Sequence, residues 1–165
     1  SIKVGDAVTV LPSLTESKVS KIHFFDQQFD EAKAGSSIVV ELENDINVTR
    51  GDMIVKSGEL PQVEKDINAT ICWMDSKKLV PGTKYLVQHN TNRVLAKIDA
   101  IKNVIATDYS GATPATQLAI NEIGEVTIKL SKALYFDKYN DNKSNGAFIL
   151  IDANTNTTAG VGFIN

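Results

Sequence analysis

The stretch Asp66-Ile67-Asn68-Ala69-Thr70-Ile71-Cys72-Trp73, residues 66–73, decides the fold class. Its apolar side chains recur at every second position from Ile67 to Trp73, which places them on one face of an extended strand. The same alternation returns in residues 38–43, 94–100 and 126–130, whereas no dozen consecutive residues carry the 3.6-residue spacing of an amphipathic helix. The pattern therefore predicts strands rather than helices.

The composition favours the same fold class. The chain of 165 residues contains 15 Val, 16 Ile and 13 Thr, whose side chains branch at Cβ, against 11 Leu, 14 Ala and 2 Met. Branching at Cβ restricts the side chain in a helix but packs well on a pleated sheet. We therefore predict an all-β protein.

Turn-forming residue pairs separate the predicted strands. Pro81-Gly82 and Asn145-Gly146 supply the fixed and positive φ angles that tight turns require. Since Asn145-Gly146 comes shortly before the apolar run 148–151, we predict a β-hairpin there. The segment 57–61, Ser-Gly-Glu-Leu-Pro, lies between two sets of strands and predicts a domain boundary. Many short strands at this spacing are typical of β-barrels and β-sandwiches.

Charge and cysteine content disfavour several classes of protein. Lys and Arg number 17, Asp and Glu number 20, the net charge is −3, and only Arg50 and Arg93 are arginines. Nucleic-acid binding is therefore not expected, because phosphates attract strongly basic surfaces. No apolar run approaches the roughly 20 residues that span a bilayer, so no membrane contact is expected. The single cysteine, Cys72, rules out an internal disulfide framework and favours a cytoplasmic location.

Motifs that would carry catalysis are not found in the sequence. No glycine is followed by lysine, so the phosphate-binding loop of P-loop GTPases is not present. Residues 108–111 match the short DxxG pattern of GTPases, for which a surface turn is the expected role. His23 and His89 have no acidic partner fixed by spacing, and Cys72 is predicted to be a small buried thiol. We predict no catalytic, nucleotide-binding or metal-binding residue in this chain.

Three aromatic residues, Phe24, Phe25 and Phe29, form a local cluster in the sequence. We predict that they pack in a core, because aromatic side chains contribute a large apolar area when buried. The alternative is an exposed interaction surface.

Several motifs resemble those of GTPase subunits. Phe25-Asp26, Ala34-Gly35, the strand 38–42 and Arg50-Gly51-Asp52 resemble the second domain of elongation-factor-Tu-like GTPases. Motifs along nearly the whole chain resemble, more narrowly, the large GTP-binding subunits of bacterial sulfate adenylyltransferases. They include Gly5-Asp6, Val10-Leu11-Pro12-Ser13, Trp73-Met74, Pro81-Gly82, the run Leu134-Tyr135-Phe136-Asp137-Lys138-Tyr139 and the segment 146–152. The last two are the most specific.

This resemblance implies a fold of two small β-barrels. Residues 1–59 would form part of the second-domain barrel, truncated at its N-terminus, and residues 60–165 would form the C-terminal, third-domain barrel. The parent subunit would hydrolyse GTP to drive the formation of adenosine 5′-phosphosulfate and pyrophosphate from ATP and sulfate. GTP and Mg²⁺ would bind in a GTPase domain outside these residues. The expected partners are that GTPase domain and a smaller catalytic subunit, and the chain alone is expected to be inactive.

A coupling role requires surfaces that contact the moving parts. In such GTPases the nucleotide state moves the GTPase domain against the barrels, so the barrels must offer contacts that differ between the states. We predict that the loops 26–31 and 46–52 belong to an inter-domain or inter-subunit surface. The candidate interface residues are Asp26, Arg50, Gly51 and Asp52.

The prediction of an interface rests mainly on Arg50. It is one of two arginines and lies at a glycine turn near Asp45 and Asp52. The alternative is a local, exposed salt bridge with one of these carboxylates, which would contribute about 0–1 kcal/mol.

Two further functional classes stay open at this point. The barrels could belong to a translation-factor-type GTPase that binds tRNA, although the net charge of −3 and the scarcity of arginine disfavour RNA. They could also form an independent β-barrel interaction domain.

Overall fold

The computed structural model describes residues 1–108 and 110–165, and the regular elements in this part of the chain are all strands. The predicted all-β fold class is confirmed. Within the same residues, no helix has the length and apolar character needed to cross a membrane.

The chain divides into two compact units, Ser1–Leu60 and Pro61–Asn165. We call the first unit the half-barrel and the second the closed barrel. A turn at Ser57 and Gly58 follows the last strand of the half-barrel. The domain limits 1–59 and 60–165 stay a prediction.

The half-barrel contains seven strands. They are β1 (Ile2–Lys3), β2 (Ala7–Leu11), β3 (Thr15–Phe24), β4 (Gln27–Phe29), β5 (Glu31–Ala32), β6 (Val39–Leu42) and β7 (Met53–Lys56). The main sheet has the order β4-β3-β2-β7, β6 also pairs with β3, and β1 pairs with β5. β3 is long enough for several partners, since residues 15–18 pair with β2 and residues 22–24 pair with β4.

Alternating burial along these strands forms a small core. Val8, Val19, Ile22 and Ala32 are buried at its centre. Five partly buried side chains pack against them: Ile2, Ile38, Val40, Leu42 and Ile54.

The closed barrel contains the remaining strands. They are β8 (Gln62–Trp73), β9 (Lys84–His89), β10 (Asn92–Ile105), β11 (Ala112–Pro114), β12 (Ile123–Phe136), β13 (Ala147–Ile151) and β14 (Thr158–Ile164). Six of them form a ring in the order β10-β12-β8-β14-β13-β9, which closes because β9 pairs with β10. Closure leaves these strands without an unpaired edge.

The stretch that predicted the fold class lies in β8. Its burial alternates from Ile67 to Trp73, with the apolar side chains inside and the intervening positions less buried. Trp73 is fully buried, and its ring packs edge-on against Tyr85 with 5.3 Å between the ring centroids. The period-2 pattern therefore places the largest side chain of this strand in the barrel core.

Two glycines of β14 leave room for aromatic rings. A Cβ atom at Gly162 would lie 2.2 Å from Cζ of Phe148, and one at Gly160 would lie 3.0 Å from Cε3 of Trp73. Side chains at these positions would occupy the space that the two rings fill, so the packing of Phe148 and Trp73 favours glycine there.

The hairpin predicted at Asn145-Gly146 does not form. β13 pairs with β14 and β9, whereas β12 pairs with β10 and β8. Asn145 is buried, and its side-chain amide donates a hydrogen bond to Oδ2 of Asp137 at 3.0 Å. The prediction was wrong because Asn145 does lie in a turn, but the strands before and after it pair with other strands of the barrel. A tight turn joins β9 to β10 instead, where Asn90 has a φ of 51°.

Candidate interaction surface

The hairpin of β3 and β4 ends in an exposed aromatic tip. Phe25 and Asp26 form its turn, and Phe25 is 87% exposed. The φ of Phe25 is 52°, a left-handed conformation that bulky residues rarely adopt. Its ring packs against Phe24 with 4.7 Å between the ring centroids. The β3–β4 turn therefore exposes the large apolar ring of Phe25 to solvent.

An open groove of about 270 Å³ adjoins the same hairpin. Phe24 and Phe29, each 41% exposed, line it. The other lining residues are Ile22, Glu31, Ala32, Lys33, Ser36 and Ile38. The prediction that the three phenylalanines pack in a core was wrong. All three are exposed, as the alternative of a surface cluster requires. Hydrophobicity identified the cluster, but it could not tell a buried core from an exposed surface.

The loop between β6 and β7 carries the other candidate residues. The carboxylate of Asp52 accepts hydrogen bonds at Oδ2 from the backbone N–H of Thr49 at 2.8 Å and from its hydroxyl at 3.1 Å. The φ of Gly51 is 108°, which glycine adopts without a steric penalty. Asp52 and Gly51 therefore fix the shape of the turn that presents Arg50.

Arg50 itself is exposed. Among the ion pairs of residues 1–108 and 110–165, none joins Arg50 to Asp45 or Asp52. The carboxylate of Asp52 accepts from Thr49 instead. The predicted alternative, a local salt bridge, does not form.

Asp26 and Arg50 lie in different turns. Asp26 is in the β3–β4 turn, and Arg50, Gly51 and Asp52 are in the β6–β7 loop. Among the ion pairs of the described residues, none joins the two turns. The interface role of these four residues stays a prediction.

A charged cluster joins β3 to β6. Nζ of Lys21 lies 3.1 Å from Oε2 of Glu41, and Nε2–H of His23 donates to Oε1 of Glu41 at 2.8 Å. The hydrogen bond from Lys21, and after it the one from His23, lowers the pKa of the Glu41 carboxyl below its ordinary value. The sequence did not reveal this partner of His23, because the pairing of β3 with β6 brings it from 18 residues away.

Acid is expected to weaken the contact between β3 and β6. Because folding lowers the pKa of Glu41, its stabilising effect is present above the ordinary value of 4.5 and is lost as the pH falls through the lower folded value. Glu41→Gln should therefore reduce the acid sensitivity of half-barrel unfolding. The measurement is the urea midpoint from about pH 6 to about pH 3.

Glu43→Gln is the matched control, since it removes an exposed carboxylate two residues further along the chain. It should keep the acid sensitivity of the original chain. Equal acid sensitivity in Glu41→Gln and in the original chain would contradict the role given to Glu41.

The remaining candidates from the sequence are His89, Cys72 and the DxxG segment. Nε2 of His89, which is 1% exposed, lies 2.8 Å from the backbone oxygen of Asn145, and Cys72 is half-buried rather than buried. In the DxxG segment, the N–H of Ser110 donates to Oδ1 of Asp108 at 2.9 Å, and Tyr109 lies outside the described residues. The described residues contain no group of three or more His, Cys, Asp or Glu side chains that could hold a metal ion.

Known proteins resemble this chain over nearly its whole length. Residues 66–165 match the family described as GTP-eEF1A C-terminal domain-like. The bifunctional enzyme CysN/CysC of Rhodopirellula baltica is 40% identical over 163 residues, 99% of this chain and 25% of the relative. Sulfate adenylyltransferase subunit 1 of Colwellia psychrerythraea is 37% identical over 164 residues, 99% of this chain and 35% of the relative. The resemblance predicted from the sequence is confirmed, and the chain spans about a quarter to a third of these relatives.

Solved structures share the fold. The structure of sup35 complexed with GDP has a TM-score of 0.87 and 16% sequence identity, and the match covers 99% of this chain and 40% of that one. The structure of sup35 complexed with GMPPNP has a TM-score of 0.86 and 17% identity. At these identities the likeness establishes the fold alone.

Proposed function

Because the chain belongs to the GTP-eEF1A C-terminal domain-like family, we propose that it is the barrel region of a GTP-dependent sulfate adenylyltransferase subunit. In this role the chain makes and breaks no bond. It transmits the nucleotide state of a GTPase domain to a smaller catalytic subunit that forms adenosine 5′-phosphosulfate and pyrophosphate from ATP and sulfate. The names of the relatives at 37–40% identity support this substrate class, and a cytoplasmic location would follow from it.

The exposed hairpin tip is the observation that carries the coupling role. Phe25 is 87% exposed in a left-handed conformation, and it adjoins Phe24, which lines a groove of about 270 Å³. An exposed apolar cluster of this kind is typical of a surface that another protein or domain covers. We propose that the GTPase domain or the small subunit covers it and that Asp26, Arg50, Gly51 and Asp52 contribute polar contacts around it.

The residues of the chain do not fit a site for GTP and Mg²⁺. The sequence has no phosphate-binding loop, and no metal-binding group is found among the described residues. We therefore assign both ligands to a GTPase domain outside these residues and derive no catalytic step from the barrels.

Substitution in the full-length subunit, assembled with its small subunit, tests the proposal. Phe25→Ala and Arg50→Ala should each lower the stimulation of sulfate adenylation by GTP by about fivefold or more, because coupling between sites typically amounts to 1–3 kcal/mol. The rate of adenylation without GTP should stay unchanged, since neither residue is placed at a reacting centre.

Leu14→Ala is the matched control. Leu14 is also an exposed apolar residue in a turn of the half-barrel, at 59% exposure, but it lies between β2 and β3. Its substitution should leave GTP stimulation intact. Unchanged stimulation in both Phe25→Ala and Arg50→Ala would contradict the coupling surface, and an equal loss in all three variants would show a general effect on folding instead.

A further inference from the structure

Three lysines face one another across three neighbouring strands of the closed barrel. The pairing of β9 with β10 sets Lys84 opposite Lys97, and the pairing of β10 with β12 sets Lys97 opposite Lys129. All three side chains are exposed on the outer face. We call Lys84, Lys97 and Lys129 the lysine row.

The lysine row brings like charges into neighbouring positions. Like charges directly opposite each other on neighbouring strands are destabilising. Nζ of Lys129 has a partner, Oδ1 of Asp99 at 3.0 Å. Among the ion pairs of the described residues none involves Lys84 or Lys97. Lys84 and Lys97 are therefore opposed cations without an ion-pair partner, since Asp99, two residues after Lys97 on the same face of β10, pairs with Lys129.

The surface around the lysine row is both basic and apolar. A shallow groove of about 200 Å³ is lined by Lys84, Leu95, Ala96, Lys97, Lys129, Leu130 and Ser131. Leu95 is 45% exposed, and the strand register places it opposite Leu86. Arg93 precedes Leu95 by two positions on the same outward face of β10, so that this face carries a cation on either side of an exposed leucine.

We propose that this outer face of β9, β10 and β12 binds an acidic polypeptide segment that carries apolar side chains between its carboxylates. The carboxylates would neutralise Lys84 and Lys97, and an apolar side chain would cover Leu95. Around the lysine row the exposed charges include four cations, Lys84, Arg93, Lys97 and Lys129, and the carboxylate of Asp99, and this excess of positive charge is suited to an acidic protein partner. The proposal depends on the closed barrel alone, so it is independent of the coupling role assigned to the half-barrel.

A polypeptide fits this face better than a nucleic acid. The groove lining contains leucines and an alanine but no aromatic ring, whereas single-stranded nucleic acids bind through stacking of bases on aromatic side chains. Its lysines are point charges, whereas the planar guanidinium group of arginine can donate two parallel hydrogen bonds to one phosphate.

A fluorescently labelled peptide that alternates glutamate and leucine is the probe. We expect the 165-residue chain to bind it and Lys84→Gln/Lys97→Gln to weaken binding by about tenfold, a change that corresponds to about 1.4 kcal/mol. The melting temperature of this double variant should be equal to or higher than that of the original chain, because the variant removes a repulsive pair. A purely structural role for the lysines would instead lower it.

Lys138→Gln/Lys143→Gln is the matched control, since it removes the same charge from two exposed lysines elsewhere on the closed barrel. It should change peptide binding by less than about twofold. Absence of peptide binding, or equal weakening in both double variants, would overturn the proposal. Tighter binding of a single-stranded oligonucleotide that depends on Lys84 and Lys97 would also overturn it and assign the surface to nucleic acid.

Discussion

Replacing Trp73 by alanine is expected to destabilise the closed barrel by about 3–5 kcal/mol. Trp73 is fully buried at the end of β8, and its ring packs against Tyr85 and Gly160. The indole N–H also donates to the backbone oxygen of Lys77 at 2.8 Å. The substitution therefore leaves a cavity in the core and removes the donor from a carbonyl group, and both effects reduce the free energy of unfolding.

Hydrogen exchange shows in which of the two units Trp73→Ala reduces stability. Amide protons of β8 and β14 should exchange faster in Trp73→Ala, whereas those of β2 and β3 in the half-barrel should not change. Met74→Ala, which truncates the neighbouring residue at 50% exposure, is the control and should change stability by less than about 0.5 kcal/mol. If Trp73→Ala and Met74→Ala had equal effects, Trp73 would not be the centre of the core.

Gly146→Ala is expected to destabilise the same barrel by about 3 kcal/mol. An added Cβ would lie 2.4 Å from Cα of Tyr139 and 2.5 Å from its backbone nitrogen. The N–H of Tyr139 donates to the oxygen of Ile164 at 2.8 Å, and the N–H of Ile164 donates to the oxygen of Gly146 at 2.8 Å. Backbone would have to move to relieve the clash, so the substitution would disrupt both hydrogen bonds.

Gly82→Ala separates this steric effect from backbone strain. Gly82 has a φ of 87°, and a Cβ added there would meet no atom within 4 Å. Its substitution should therefore show only the cost of a left-handed conformation, about 1–2 kcal/mol. Urea unfolding followed by circular dichroism gives both values. A Gly146→Ala variant as stable as Gly82→Ala would contradict the packing described for residues 139 and 146.

Local patterns in the sequence predicted the strands but not their partners. The alternation from Ile67 to Trp73 was enough to place one side of β8 in a core. A tight turn joins β9 to β10, but the pairings of β9 with β13 and of β8 with β14 connect strands that are far apart in the sequence. Such pairings depend on how the strands pack in the folded barrel. The alternation of apolar residues within one strand does not specify its partner strand.

The candidate surface shows the same limit of local patterns. The sequence singled out Phe24, Phe25 and Phe29, yet it placed them in a core because nothing local distinguishes an exposed apolar cluster from a buried one. The Glu41 partner of His23 was also missed, since the two residues meet only through the register of β3 with β6. The hairpin predicted at Asn145-Gly146 is absent for a related reason: the turn forms, but which strands pair on either side of it is decided by tertiary packing.

The nucleotide chemistry of the purified 165-residue chain tests the central claim most directly. Circular dichroism first confirms that the chain is folded and rich in strands. The chain is then incubated separately with GTP and with ATP plus sulfate, and the release of phosphate or pyrophosphate is measured. We predict release no faster than in buffer, because the proposed role gives the barrels a conformational change to transmit and no reacting group. Sustained turnover of either nucleotide by the folded chain would contradict the account.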